Sequence, residues 1–100
     1  MASSIILRLA RELGLSAEEV ERKASESLLR EELRRVRAEK ASILSKYRVK
    51  SFSELMRLVE EGVVSDVDAH EDIVRIDYLE HREKTLERLL REIGQRGSQG

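Results

Sequence analysis

The chain contains no cysteine, proline, tryptophan or asparagine, and only three of its 100 residues are aromatic: Tyr47, Phe52 and Tyr78. Without cysteine there are no disulfides, zinc–thiolate sites, iron–sulfur clusters or thiol nucleophiles, and a reducing, cytoplasmic setting fits. No apolar run exceeds four residues, which excludes a membrane-spanning helix. The opening stretch MASSIILRLARELG has neither the basic start nor the apolar length of a signal peptide. There is no G-x-S-x-G and no glycine-rich phosphate loop, and the eleven serines gather near expected helix ends. No nucleophile–base arrangement emerges, so the expectation is a non-enzymatic protein without cofactor or resident metal.

What remains is charge and helix-forming residues. Forty residues are apolar and 39 charged, and Ala, Leu, Glu, Arg and Lys supply about half the chain, a composition typical of long helices or coiled coil. Arginine outnumbers lysine 14 to 5, and with asparagine and cysteine missing the composition leans towards a thermophile. The net charge is −1 but unevenly spread. Residues 30–50 hold eight basic and three acidic groups, whereas residues 54–80 hold two basic and nine acidic. Such a chain can neutralise itself, within a monomer or across a dimer.

Cap residues and apolar periodicity predict four helices in one domain, residues 1–94, followed by a disordered tail, 95–100. The first runs from Ser4 to Leu13 and ends at Gly14. Ser16 and Glu19 form a capping box that opens a second helix over 17–46, about 45 Å long. A second box, Ser51 and Glu54, opens a short helix over 52–61, stopped by Gly62. Asp68 is the expected cap of the last helix, 68–93, with Gly94 as its stop. Residues 3–9 also partly alternate, so a strand, as in a ribbon-helix-helix dimer, is the rival reading there. Leu29, Leu33, Val36, Ile43 and Tyr47 share one stripe, as do Ile76, Leu79, Leu86, Leu90 and Ile93, the pattern of two seams that bury against helices. Lys40 interrupts the first and Glu83 the second. The two either pair with each other or reach solvent at the seam's edge. Glu18–Arg22, Glu31–Arg35, Glu71–Arg75 and Glu87–Arg91 are spaced for i,i+4 pairs on the outer faces.

Ala10, Gly14 and Val20 have the spacing of a helix-turn-helix. A DNA reader would insert the start of its second helix into the major groove, but here that start carries Glu18, Glu19 and Glu21, which oppose phosphate. An ordinary αα-corner is the plainer reading. The basic run Arg30, Arg34, Arg35, Arg37, Lys40, Lys46, Arg48, Lys50 has one interleaved aromatic, Tyr47, and an acidic counterpart in the same chain. His70, Asp77 and His81 share a helix face, too few ligands for a typical divalent site. Phe52, Leu55, Met56, Leu58, Val59, Val63 and Val64 make an apolar patch wider than one stripe, which either caps the long hairpin or docks a partner.

Lys46-Tyr-Arg-Val-Lys-Ser-Phe-Ser-Glu-Leu-Met-Arg-Leu-Val-Glu-Glu-Gly62, an acidic connector and Glu71-Asp-Ile-Val-Arg-Ile-Asp-Tyr-Leu-Glu80 together resemble small helical archaeal and bacterial proteins. Many of these look like antitoxins of toxin–antitoxin pairs. The resemblance spans roughly residues 20–93, and Arg48 stands where that pattern usually has glycine. It implies a non-enzymatic partner of a small toxin protein and carries over no catalytic residue.

The expected fold is therefore all-α: an antiparallel hairpin of helices 17–46 and 68–93, the short helix 52–61 at the junction, and the first helix against one end. Leftover apolar surface favours a homodimer that completes a bundle. The expected partner-binding residues are Phe52, Leu55, Met56, Val59, Glu71, Asp72, Asp77 and Tyr78, an acidic surface for a basic partner. The alternatives are a DNA-binding regulator using residues 10–24 and a purely structural homo-oligomer.

Overall fold

The computed structural model describes residues 3–99. Among them are four α-helices and no strand: α1 (Ser4–Leu13), α2 (Ala17–Ser45), α3 (Phe52–Glu60) and α4 (Asp66–Gln99). Residues 3–9, with their strand-like alternation, are helix from Ser4 onward. The Ser3 hydroxyl accepts from the Ile6 N–H at 3.3 Å and starts α1. Gly14 ends it at φ 68°, and the Leu15 N–H returns to the Ala10 carbonyl at 2.9 Å, closing the last turn through a left-handed residue.

The capping box at α2 is complete. Ser16 Oγ accepts from the Glu19 N–H at 3.1 Å, and Glu19 Oε1 accepts from the Ser16 N–H at 3.0 Å. The Ser16 backbone and hydroxyl bonds hold the Glu19 carboxyl below the usual carboxylate range. At α3 the Ser51 hydroxyl likewise accepts from the Glu54 N–H, but the Glu54 carboxylate reaches one residue further back, to the Lys50 N–H. The α4 boundaries differ from expectation at both ends. The cap is Ser65, not Asp68: its hydroxyl accepts from the Asp68 N–H at 3.4 Å and its carbonyl from the Ala69 N–H at 3.0 Å. Asp66 and Asp68 instead lie in the first turn, where their charge favours the helix dipole. At the other end α4 runs through Gly94 to Gln99, over most of the stretch expected to be a disordered tail; Gly100 lies outside the described residues. Gly94 lacks the positive φ of Gly14 and Gly62, so it stays inside the helix, where glycine costs about 1 kcal/mol relative to alanine without forcing a stop.

The chain divides into two compact units. One takes the described residues up to Glu32 and from Leu86 onward; the other is Leu33–Thr85. In the second unit the later part of α2 and the earlier part of α4 run antiparallel, with α3 between them in sequence. Contacts pair Tyr47 with Asp72, Lys40 with Glu83 and Arg37 with Glu83, so positions rise on one helix as they fall on the other. Its buried apolar side chains are Leu33, Val36, Ile43, Leu44, Leu55, Ala69, Ile76 and Leu79. Both seams read from the sequence therefore contribute to this core. The first unit buries Ala10, Val20 and Leu86. Ala10 and Val20 are the small and the packing residue of the αα-corner that turns at Gly14.

The interruptions in the seams face each other. Lys40 Nζ lies 2.7 Å from Glu83 Oε1 and 3.7 Å from Glu80 Oε1, and Arg37 Nε lies 2.9 Å from Glu83 Oε2. Burial pushes the Glu83 carboxyl up, but the hydrogen bonds from Lys40 and Arg37 outweigh it and bring it below the usual range. Burial lowers Lys40 likewise, and its contacts with Glu83 reverse that and leave it raised. In this unit the basic residues of α2 meet the acidic residues of α4 within one chain. Arg75 does not need Glu71 as its i,i+4 partner: it grips Glu39 across the hairpin through Nε and a second nitrogen at 2.8 Å.

Candidate partner-binding surface

After Ser45, α2 closes through a tight turn. The Val49 N–H donates to the Leu44 carbonyl at 3.3 Å, and Arg48 sits at φ 57°. The turn that glycine would favour thus forms with arginine in the left-handed seat, at a strain of about 1 kcal/mol. It brings Tyr47 to α4. The Tyr47 hydroxyl donates to Asp72 Oδ2 at 2.5 Å, and Lys46 Nζ lies 3.4 Å from the same carboxylate. The bond to Asp72 pushes the Tyr47 phenol up to about 12, and the Tyr47 donor in turn lowers the Asp72 carboxyl.

These contacts sort the eight expected partner-binding residues. Leu55 is fully buried at 0 % exposure; in this fold it is core, because α3 turns the centre of its apolar face inward. Phe52, Met56 and Val59 flank it and are half-buried. The apolar patch of α3 is thus largely used within its own unit. Asp72 is half-buried and held by Tyr47 and Lys46, which makes it a clip between α2 and α4. Glu71, Asp77 and Tyr78 are exposed.

The sequence reading missed two neighbours of that trio. Val67 and Val74 are 86 % and 57 % exposed, alongside Tyr78 at 53 %. At 3.6 residues per turn, Val67, Glu71, Val74 and Tyr78 fall within a sector of about 60° on α4. The i, i+7, i+11 spacing of the apolar three was visible in the sequence, but was eclipsed by the stronger inward stripe. His70, Asp77 and His81 line one edge of the same face. His81 Nδ1 lies 2.9 Å from the Asp77 carbonyl oxygen and 3.9 Å from its carboxylate. Among the described residues no group of three or more His, Cys, Asp or Glu side chains converges to hold a metal. The Arg75 guanidinium stands 5.1 Å from the centre of the Tyr78 ring, a distance at which the cation and the ring face attract. Glu39 holds the same guanidinium from across the hairpin.

The family model described as the uncharacterized protein MJ0235 family matches residues 1–98. The chain belongs to this family. No curated protein and no solved structure matches it. The MJ0235 family description names neither toxin nor antitoxin, so what the surface does rests on its own chemistry. Among the described residues of this MJ0235-family chain, no helix is long and apolar enough to cross a membrane. Elsewhere the surface carries shallow grooves, one lined by Glu18, Glu21, Arg22, Ser25, Ile93 and Arg96 and another by Ala41, Leu44, Ser45, Arg48, Val49 and Lys50.

Proposed function

We propose that this chain is a non-enzymatic helical module that binds a protein partner with a basic surface, and that the outer face of α4 receives it. One observation carries the reading: Val67, Val74 and Tyr78 are exposed in register, with Glu71 among them and Asp77 at the edge. An aromatic anchor with aliphatic neighbours, ringed by carboxylates, suits a partner that brings arginine or lysine around an apolar centre. The segment's charge supports the same partner, since residues 54–80 carry nine acidic groups against two basic. Asp72 and Glu83 are spent on intrachain contacts, which leaves Glu71 and Asp77 to meet the partner. In its finer form the reading is antitoxin-like, the partner being a small basic toxin; the resemblance over residues 20–93 supports that form. The test is native mass spectrometry of the chain drawn from its own cells' lysate, beside the variant Glu71→Lys/Asp77→Lys/Tyr78→Ala. A basic protein held by the unaltered chain and released by the variant is expected. Equal retention by both sinks the α4 surface.

A further inference from the structure

In the unit formed by the chain's two ends, the balance of buried and exposed apolar side chains is inverted. Ala10, Val20 and Leu86 are buried, whereas Ile5, Leu7, Leu9, Leu13, Leu28 and Leu89 are all exposed. The other unit buries eight and leaves four large ones exposed: Val63, Val67, Val74 and Tyr78. The inversion centres on α1. Ile6 and Ala10 anchor that helix along one edge of its apolar face. Ile5, Leu9 and Leu13, spaced by four, continue the face outward and stand 64 %, 43 % and 63 % exposed. Beside them run Arg8 and Glu12, which with Ile5 and Leu9 line a shallow groove. Three large apolar side chains in line on a well-capped helix are an interaction surface in want of a cover.

We propose that the cover is the same stripe of a second copy, packed antiparallel about a two-fold axis. The charges at the stripe's edge choose this partner. With the two-fold axis at the level of Ala10, Leu9 of each copy seats between Leu9 and Leu13 of the other, and Arg8 of each chain comes level with Glu12 of the other, twice over. A parallel two-fold pairing would instead set the Arg8–Glu12 edge of each copy against the opposite edge of the other, where Ile6 and Ala10 stand, and leave both charges without a partner across the contact. A two-fold contact needs a self-complementary patch, and a basic and an acidic residue at i,i+4 along one edge of a stripe supply it. The net charge of −1 sets no long-range repulsion between copies. The contact is short, because ten residues of helix span about 15 Å, well below an interface of standard size. The dimer is therefore weak and reversible. It is independent of the α4 surface.

Sedimentation equilibrium of the full chain tests this, over about 1 to 500 μM, a range that brackets weak association. The unaltered chain is expected to pass from monomer to dimer. Leu9→Gln should raise the dissociation constant at least about tenfold. Arg8→Glu and Glu12→Arg should each weaken the dimer several-fold at low salt, and the doubly swapped chain should recover it. All three positions changed or swapped carry solvent-facing side chains, and unaltered helical circular dichroism would show that the fold survives. A chain that stays monomeric throughout overturns the proposal, as does a dimer indifferent to Leu9→Gln or a double swap that fails to recover. Glu71→Lys/Asp77→Lys should leave the constant unmoved. A monomer that still holds a basic partner through α4 overturns the dimer alone, and a dimer without such a partner overturns the α4 reading alone.

Discussion

Replacing Glu83 by leucine takes away the acceptor shared by Lys40 and Arg37 and leaves Lys40, whose side chain is 19 % exposed, with Glu80 at 3.7 Å as its remaining carboxylate. A hydrogen bond to a charged group contributes about 1.5–3 kcal/mol, and stranding one member of a buried pair costs about 3–5 kcal/mol. Because Lys40 and Glu83 keep 19 % and 15 % of their surface in water, the low end applies, and Glu83→Leu should cost about 2 kcal/mol. Lys40→Met leaves Glu83 still paired with Arg37 and should cost about 1 kcal/mol. The double variant joins both seams into continuous apolar stripes and should lie within about 0.5 kcal/mol of the parent, since well-packed apolar residues replace such pairs at little cost. The coupling is then about 3 kcal/mol, at the upper end for neighbouring residues. Urea unfolding of the four chains, followed by circular dichroism, gives each free energy from its midpoint and slope. Strictly additive singles would refute the reasoning. The pH dependence adds a second check. The Glu83 carboxyl is depressed in the folded chain, so its contribution is present above the ordinary carboxylate range and is lost as pH falls through the folded value. Lys40 is raised, so its contribution is present below the ordinary lysine range and is lost only as pH climbs through its folded value. The parent should lose more stability than the double variant on the acid side.

Arg48→Gly should stabilise the chain by about 0.5–1 kcal/mol, because glycine takes the left-handed seat at φ 57° without a Cβ penalty; a loss of stability in urea would show that the Arg48 side chain contributes more than its backbone costs. In a Tyr78→Phe background, the single remaining tyrosine should ionise near 12 by ultraviolet absorbance, and Asp72→Asn should bring it back towards 10; an unmoved titration would mean that the Tyr47–Asp72 bond does not form in solution. Leu55→Ala should cost about 2–4 kcal/mol, as expected for a fully buried leucine. A loss under about 1 kcal/mol would return Leu55 to the surface set from which its burial removes it.

The sequence by itself determined the local features of this protein. Ser16 with Glu19, Ser51, Gly14 and Gly62 set helix ends because each acts on backbone groups within a few residues, and the structure keeps them. The seam residues Leu33, Val36, Ile43, Ile76, Leu79 and Leu86 were legible because a helix repeats every 3.6 residues whatever it packs against, and all six are buried. Weak local signals misled: Asp68 looks like the cap of α4 but Ser65 supplies it, and Gly94, which can stop a helix, sits inside one. Only the tertiary structure decided the non-local questions. Whether Lys40 and Glu83, 43 positions apart in sequence, met or turned to solvent depended on the register of two helices. Likewise, Leu55 and Tyr78 were indistinguishable as apolar members of one candidate surface until α3 turned the first inward and α4 left the second outside. Periodicity says which residues share a face of a helix. Only the packing of the other helices says which faces remain in water.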